Sequence, residues 1–113
     1  MVKLVTAVIR AHRLDEVRAV AAAAGARGMT VSAVRGFGRQ RGREATYRGA
    51  EYRAELVPNV RVEVLVDVFE AEQVASAIVA AGRTGHAGDG KVWISEVERL
   101  VRIRTGEVGV DAV

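Results

Sequence analysis

The chain contains no cysteine. Disulfides, thiol nucleophiles and thiolate metal sites are therefore excluded together. Two histidines are present, His12 and His86, too few and too far apart to suggest a zinc cluster. Lysine occurs twice, at Lys3 and Lys91. Aromatic residues are also scarce: Phe37, Tyr47, Tyr52, Phe69 and Trp93 are the whole set. Val, Ala, Leu and Ile must fill the interior. No apolar segment approaches the roughly 20 residues that span a bilayer. The N-terminus lacks a charged leader followed by an apolar run and a cleavage site. The expectation is a soluble cytoplasmic protein with no direct membrane insertion.

What is present fits one domain over residues 1–113, because half of the residues are apolar and a core of useful size can form. The net charge of +3 is modest, and arginine supplies nearly all of the positive charge. Arginine suits planar recognition of phosphate or carboxylate. GC-rich coding would produce the same bias, and the abundance of Ala, Val and Gly is consistent with it.

The longest segment without a helix or strand pattern is Gly36 to Pro58. It holds both tyrosines and five arginines, Arg39, Arg41, Arg43, Arg48 and Arg53. It far exceeds a hairpin turn, and long loops on compact domains are commonly functional or disordered. Around it the pattern is regular. Lys3 to Arg10 reads as a strand with two apolar faces, Val5, Ala7 and Ile9 on one and Leu4, Thr6 and Val8 on the other. Leu14 to Ala24 reads as a helix stopped by Gly25. Met29 to Phe37 returns as a strand. Val60 to Val68 alternates valine with Arg61, Glu63, Leu65 and Asp67, a strong strand signal. Glu70 to Ala81 reads as a second helix ending at Gly82. Val92 to Ile94 is a short strand, and Leu100 to Arg104 reads as a further extended piece. The order β-α-β, loop, β-α-β predicts an α+β, ferredoxin-like antiparallel sheet with both helices on one face. Its other, apolar face would be covered by further copies of the chain.

Between Thr84 and Lys91 the sequence reads T-G-H-A-G-D-G-K. Gly85 to Lys91 fits seven positions of a nucleoside-triphosphatase P-loop, but Val92 stands where a hydroxyl belongs, and a strand follows where a helix is needed. Glycine N–H groups and Lys91 could still form an anion nest; a plain turn is the other reading. Gly36 to Gln40 supplies two glycines, Arg39 and Gln40 at a strand end. Arg102 and Arg104 lie two apart, so on an extended segment they share a side. Thr30 adds a hydroxyl. Together these groups suffice to hold a polyphosphate, although spacing alone does not bring them together. No catalytic constellation is evident: Ser32, Ser76 and Ser95 lack partners. Asp15, Glu16, Glu70 and Glu72 sit at helix starts, where they complement the dipole. His12 reads as a cap or surface residue.

The segments R-G-M-T-V (27–31), G-F-G-R-Q (36–40), Y-R-G-A-E-Y (47–52), G-D-G-K (88–91) and V-R-I-R-T-G-E (101–107) resemble, in order and spacing, those of the PII nitrogen-regulatory signal proteins. The resemblance spans essentially the whole chain. It implies a homotrimer that binds ATP or ADP between subunits and is a regulator, not an enzyme. It implies nucleotide contacts from Thr30, Gly38, Arg39, Gln40, Gly88, Asp89, Gly90, Lys91, Arg102 and Arg104, with Val64 and Leu65 on the adenine side. Gln40 matches the position that helps hold Mg with ATP and 2-oxoglutarate. Residues of about 38–57 match the T-loop, in which Tyr52 is the position of uridylylation or adenylylation. Tyr47, Arg48 and Tyr52 match the partner-binding positions, for an ammonium transporter or an enzyme of nitrogen metabolism. Residues of about 105–113 would form a flexible tail.

The chain departs from the family pattern at Ala11, at Glu44-Ala45-Thr46, at Asn59 and at Ala87. Asn59 stands where the family places a lysine that pairs with a 2-oxoglutarate carboxylate. A charge-assisted hydrogen bond contributes about 1.5–3 kcal/mol against roughly 1 for a neutral one. That difference weakens binding about tenfold or more. The expectation is that nucleotide binding survives while 2-oxoglutarate binding is weakened or lost. These departures keep open a divergent PII-like regulator of another pathway. A nucleic-acid binder would stack bases on sheet aromatics, and the aromatic-poor strands oppose it.

Overall fold

Alternating valines need a surface on each side of the strand that differs in polarity, and the central strand of this fold meets that condition. The computed structural model describes residues 1–38, 46–47, 50–51 and 56–113. Its strands are β1 (Val2–Ile9), β2 (Thr30–Gly36), β3 (Thr46–Tyr47), β4 (Ala50–Glu51), β5 (Val57–Asp67) and β6 (Lys91–Glu96). Among the described residues two α-helices, α1 (Leu14–Ala23) and α2 (Val68–Gly82), follow β1 and β5. Short 3-10 turns occupy Ala11–Arg13 and Gly109–Ala112. The four-stranded sheet has the order β2-β5-β1-β6, with every neighbouring pair antiparallel. A separate ribbon pairs β3 with β4 inside the long loop. This is the α+β plan that the element order predicts.

Val62, Val64 and Val66 of β5 are fully buried, opposite Ala7, Val5 and Lys3 of β1. The same face receives α1 through Val17 and Ala21, and α2 through Ala71, Val74, Ile78 and Ala81. The spacing of those α2 residues, three, four and three, draws one stripe along the helix. Each fully buried Val or Ile contributes about 1.5–3 kcal/mol relative to exposure. Gly82 lies where the helices meet the sheet: a Cβ there would touch Ile9 at 3.5 Å and Val17 at 3.9 Å. It ends α2 by allowing close packing, with a φ outside the left-handed region. Gly25 stops α1 differently. Its φ is +124°, Ala26 N donates to Ala21 O at 2.9 Å, and Gly25 N donates to Ala22 O at 3.1 Å. That is the Schellman pattern, and it satisfies carbonyls the helix would leave open.

Among the described residues the opposite sheet face carries no helix. In register across it run Thr30, Glu63, Thr6 and Trp93, then Ser32, Arg61, Val8 and Lys91. Leu4 sits between Leu65 and Ser95 on the same face.

The second helix starts at Val68, two residues before the expected Glu70, and three further differences from the sequence expectation follow from pairing. The strand β5 begins at Val57 because it pairs with β2 as far as Gly36↔Val57. The strand β6 is six residues long because β1 offers a full ladder from Lys3 to Val8. The extended piece over Leu100–Arg104 is not a strand. Among the described residues only Val101 of this piece makes a bridge, to Val108, and the chain reverses between them. Arg102 N donates to Glu107 O at 2.8 Å and Gly106 N to Arg102 O at 2.7 Å, with Gly106 at φ +75°. A glycine that accepts a left-handed φ converted an alternating pattern into a turn. Among the described residues no helix is long and apolar enough to cross a membrane.

Candidate functional site

Because β2 and β1 are both antiparallel to β5, they run in the same direction, and β6 runs with β5. One end of the sheet therefore gathers four chain segments. They are Gly36 to Gly38 leaving β2, Arg10 leaving β1, the start of β5, and the glycine-rich loop entering β6. This end also carries both openings of the long loop.

The glycine-rich loop is built around Asp89. Its carboxylate accepts from Thr84 N at 2.7 Å, Thr84 Oγ1 at 2.5 Å, Gly85 N at 2.9 Å and Arg10 Nε at 3.0 Å. Arg10 also donates through Nη2 to Ala87 O. The Thr84 hydroxyl and amide, then Arg10 and Gly85, hold the Asp89 carboxyl far below the usual carboxylate range, against a smaller opposing effect of desolvation. Gly85, Gly88 and Gly90 all have φ between +89° and +100°. At Gly90 a Cβ would lie 1.7 Å from Val8 O, so the loop presses its backbone against β1. The Asp89 side chain thus faces into its own loop and shapes the turn around Gly88 and Gly90.

The depressed pKa of Asp89 has a definite sign in stability. An ionised group of this kind stabilises the fold at pH values above its ordinary 3.8, and that contribution is lost as pH falls from there through the depressed native value. Asp89→Asn should therefore melt below the wild type by a constant interval from about pH 5 to 8, with the interval closing progressively below about pH 4. Thermal melts of both proteins from pH 7 to pH 2 check this. An interval that stays constant to pH 2 contradicts it.

The remaining predicted residues divide by place. Gly38 lies at the gathered end, with no described residue within 4 Å of a Cβ there. Gly88, Asp89, Gly90 and Lys91 lie there too, but Lys91 starts the edge strand β6. Thr30 starts the opposite edge strand, β2. The two edges are about 14 Å apart, three interstrand spacings. Val64 is fully buried on the helix side, so only its main chain can face a ligand. Leu65 is half-buried on the open face. The strand β5 continues beyond its first pairing with β2 at Thr30↔Glu63, so among the described residues Val64 to Asp67 have no strand neighbour on that side. Arg102 and Arg104 lie beyond the far end of β6, which spans about 20 Å of extended chain. One chain therefore does not unite Lys91 with Arg102 and Arg104. Asn59 pairs with Val34 near the return from the long loop. Arg39, Gln40, Arg48 and Tyr52 fall outside the described residues; for Tyr47 only the main-chain pairing with Ala50 is described.

Arg10 and Thr84 are the residues that sequence reading missed. Their partner Asp89 is adjacent only in space: 79 residues separate Arg10 from it. The Thr84–Asp89 spacing of five was the one local signal, and it is weak without the strand order. Among the described residues no cluster of three or more His, Cys, Asp or Glu is placed to hold a metal.

Comparison with known proteins adds an independent finding. The family model described as Nitrogen regulatory protein P-II matches residues 2–107. A protein of that name from Nostoc punctiforme is 51% identical over 98% of this chain and 99% of its own length. Those from Synechocystis sp. and Rhizobium meliloti are 49% and 47% identical over the same shares.

Proposed function

Since the chain belongs to the nitrogen regulatory protein P-II family and is a nitrogen regulatory signal protein, we propose that it senses adenine nucleotides at clefts between the subunits of a homotrimer. The observation that carries this reading is the separation of the basic groups. Lys91 and the glycine-rich loop sit at one end of the sheet, and Arg102 and Arg104 beyond the other. A second copy against the open face would close that distance and cover Leu4, Val8 and Trp93.

In this reading ATP or ADP lies with its phosphates on Gly88, Gly90, Lys91, Gly38, Arg39 and Gln40 of one subunit. Thr30, Leu65, the main chain of Val64, Arg102 and Arg104 come from the neighbour. Gln40 would share Mg with ATP. The T-loop, with Tyr47, Arg48 and Tyr52, would dock on an ammonium transporter or an enzyme of nitrogen metabolism in the cytoplasm. Signalling then requires that ATP and ADP favour different loop states, because equal affinity for both shifts nothing.

Asn59 supports a second reading, in which the same nucleotide site serves another pathway. It lies on the open face where β5 leaves the loop, and it carries no charge to meet a carboxylate. Light scattering and calorimetry test both readings. The expected result is a trimer that binds ATP and ADP competitively at micromolar concentration, with weak or absent 2-oxoglutarate binding. Asn59→Lys should then tighten 2-oxoglutarate by about tenfold or more in Mg-ATP. A monomer indifferent to both nucleotides would overturn the proposal. Micromolar 2-oxoglutarate binding by the unmodified chain would remove the second reading.

A further inference from the structure

We propose that Glu107 is a built-in counter-anion that occupies Arg102 in the ligand-free chain and sets the affinity of the nucleotide site. This rests on the nucleotide reading above and goes beyond it by naming the residue that opposes the ligand.

The two predicted phosphate-binding arginines beyond β6 are not equivalent. Arg104 makes no hydrogen bond or ion pair among the described residues. Arg102 has both terminal nitrogens engaged. Its Nη1 donates to Glu107 Oε1 at 2.8 Å and its Nη2 to Val113 O at 2.9 Å. The carboxylate is delivered by the turn itself and does not depend on a freely rotating side chain. Thr105 Oγ1 donates to the same Glu107 Oε1 at 2.9 Å, and Glu107 N donates back to Thr105 Oγ1 at 3.3 Å. Main-chain bonds between Arg102 and Glu107 and between Gly106 and Arg102 close the turn behind them.

Arg102 therefore already donates through Nη1 to an anionic oxygen, the kind of acceptor that a phosphate would offer. A nucleotide that uses this guanidinium must displace Glu107, or share Arg102 with a like charge a few ångströms away. Both oppose binding. The pair is also easily broken, because its side chains are 37% and 47% exposed, and ion pairs of that exposure are weak. It acts as a reversible competitor, displaced by a polyphosphate and restored when the polyphosphate leaves. The alternative is that Glu107 orients Arg102 for the ligand. That role predicts the opposite sign.

The experiment is calorimetry of ATP and ADP binding to the full chain, the Glu107→Gln variant, and both proteins in an Arg102→Gln background. Glu107→Gln keeps the side-chain shape and removes the charge. The expected result is ATP binding about two- to fivefold tighter in the native background and unchanged when Arg102 is absent. Thr105→Val, which removes the hydroxyl that steers Glu107, should shift affinity in the same direction by less. It serves as the second probe if Glu107→Gln folds poorly. Unchanged or weaker binding on Glu107→Gln overturns the inference and leaves the nucleotide site standing. An equal gain in both backgrounds assigns the effect to overall charge and also overturns it. Failure of every protein to bind either nucleotide sinks the proposed function, and this inference with it.

Discussion

Gly90→Ala is expected to lower the melting temperature by about 10 °C or more. The added Cβ would stand 1.7 Å from Val8 O and 2.7 Å from Val8 C. Both atoms belong to the backbone of an interior strand, so neither can rotate away. The φ of +92° adds left-handed strain of about 1–3 kcal/mol for a non-glycine residue. Relief requires the start of β6 to leave β1, with loss of the Val8↔Lys91 pairing. Steric and strain terms together reach about 3 kcal/mol or more, within the range of the most damaging single substitutions. At about 4–8 °C per kcal/mol for a small domain, the shift is large and readily measured. Two companion variants separate the causes. At Gly88 the Cβ would meet Arg10 Nη2, the movable end of a side chain, at 2.9 Å. Gly88→Ala should therefore cost mainly the strain. At Gly38 no described residue lies within 4 Å, and Gly38→Ala should be close to neutral for stability. A Gly90→Ala protein that melts with the wild type would show that the loop does not press on β1 as described.

Leu4→Glu should separate assembly from folding. Leu4 lies on the open sheet face between Leu65 and Ser95, outside the buried core. A glutamate there leaves the packing of Val5, Ala7 and Ile9 under the helices intact. In the proposed trimer the same position is covered. Burying leucine contributes about 1.5–3 kcal/mol per copy, and burying an unpaired carboxylate costs considerably more. Threefold symmetry repeats the penalty at every interface. The variant is expected to run as a monomer with an unchanged circular dichroism spectrum. It should also lose ATP affinity by about 100-fold or more, because the charge-assisted bonds of Arg102 and Arg104 would no longer reach the phosphates. Light scattering and calorimetry on one preparation read both effects. A Leu4→Glu protein that remains trimeric and binds ATP normally would defeat the open-face assembly. Loss of the trimer with full ATP affinity would place the whole nucleotide site within one chain.

Local pattern carried a large part of this fold. The valines of β5 alternate, and the alternation became the buried row Val62, Val64 and Val66. The α2 stripe was legible because Val74, Ile78 and Ala81 keep helical spacing, and the structure adds Ala71 to it. Gly25 was legible as a helix stop because a left-handed residue after a helix closes the Schellman pattern. The segment V-R-I-R misled for an equally local reason. Its alternation fits a strand, but Ile103 is 99% exposed and a strand would have needed a neighbour to pair with. The turn was decided by Gly106 and by the Arg102–Glu107 contact, which an alternation rule does not weigh.

What the amino-acid order determined by itself was the two helices, the four strands of the main sheet and their class, together with the five segments that mark the family. Each of these rests on interactions spanning a few residues or on motifs readable in line. Strand order, register and convergence were decided only in three dimensions. Arg10 meets Asp89 because β1 lies beside β6, and Gly90 must be glycine because of the carbonyl of Val8. Lys91 and Arg102 are apart for the same kind of reason: β6 runs the length of the sheet between them. Contacts across such separations depend on how strands pair, and no local periodicity encodes that choice.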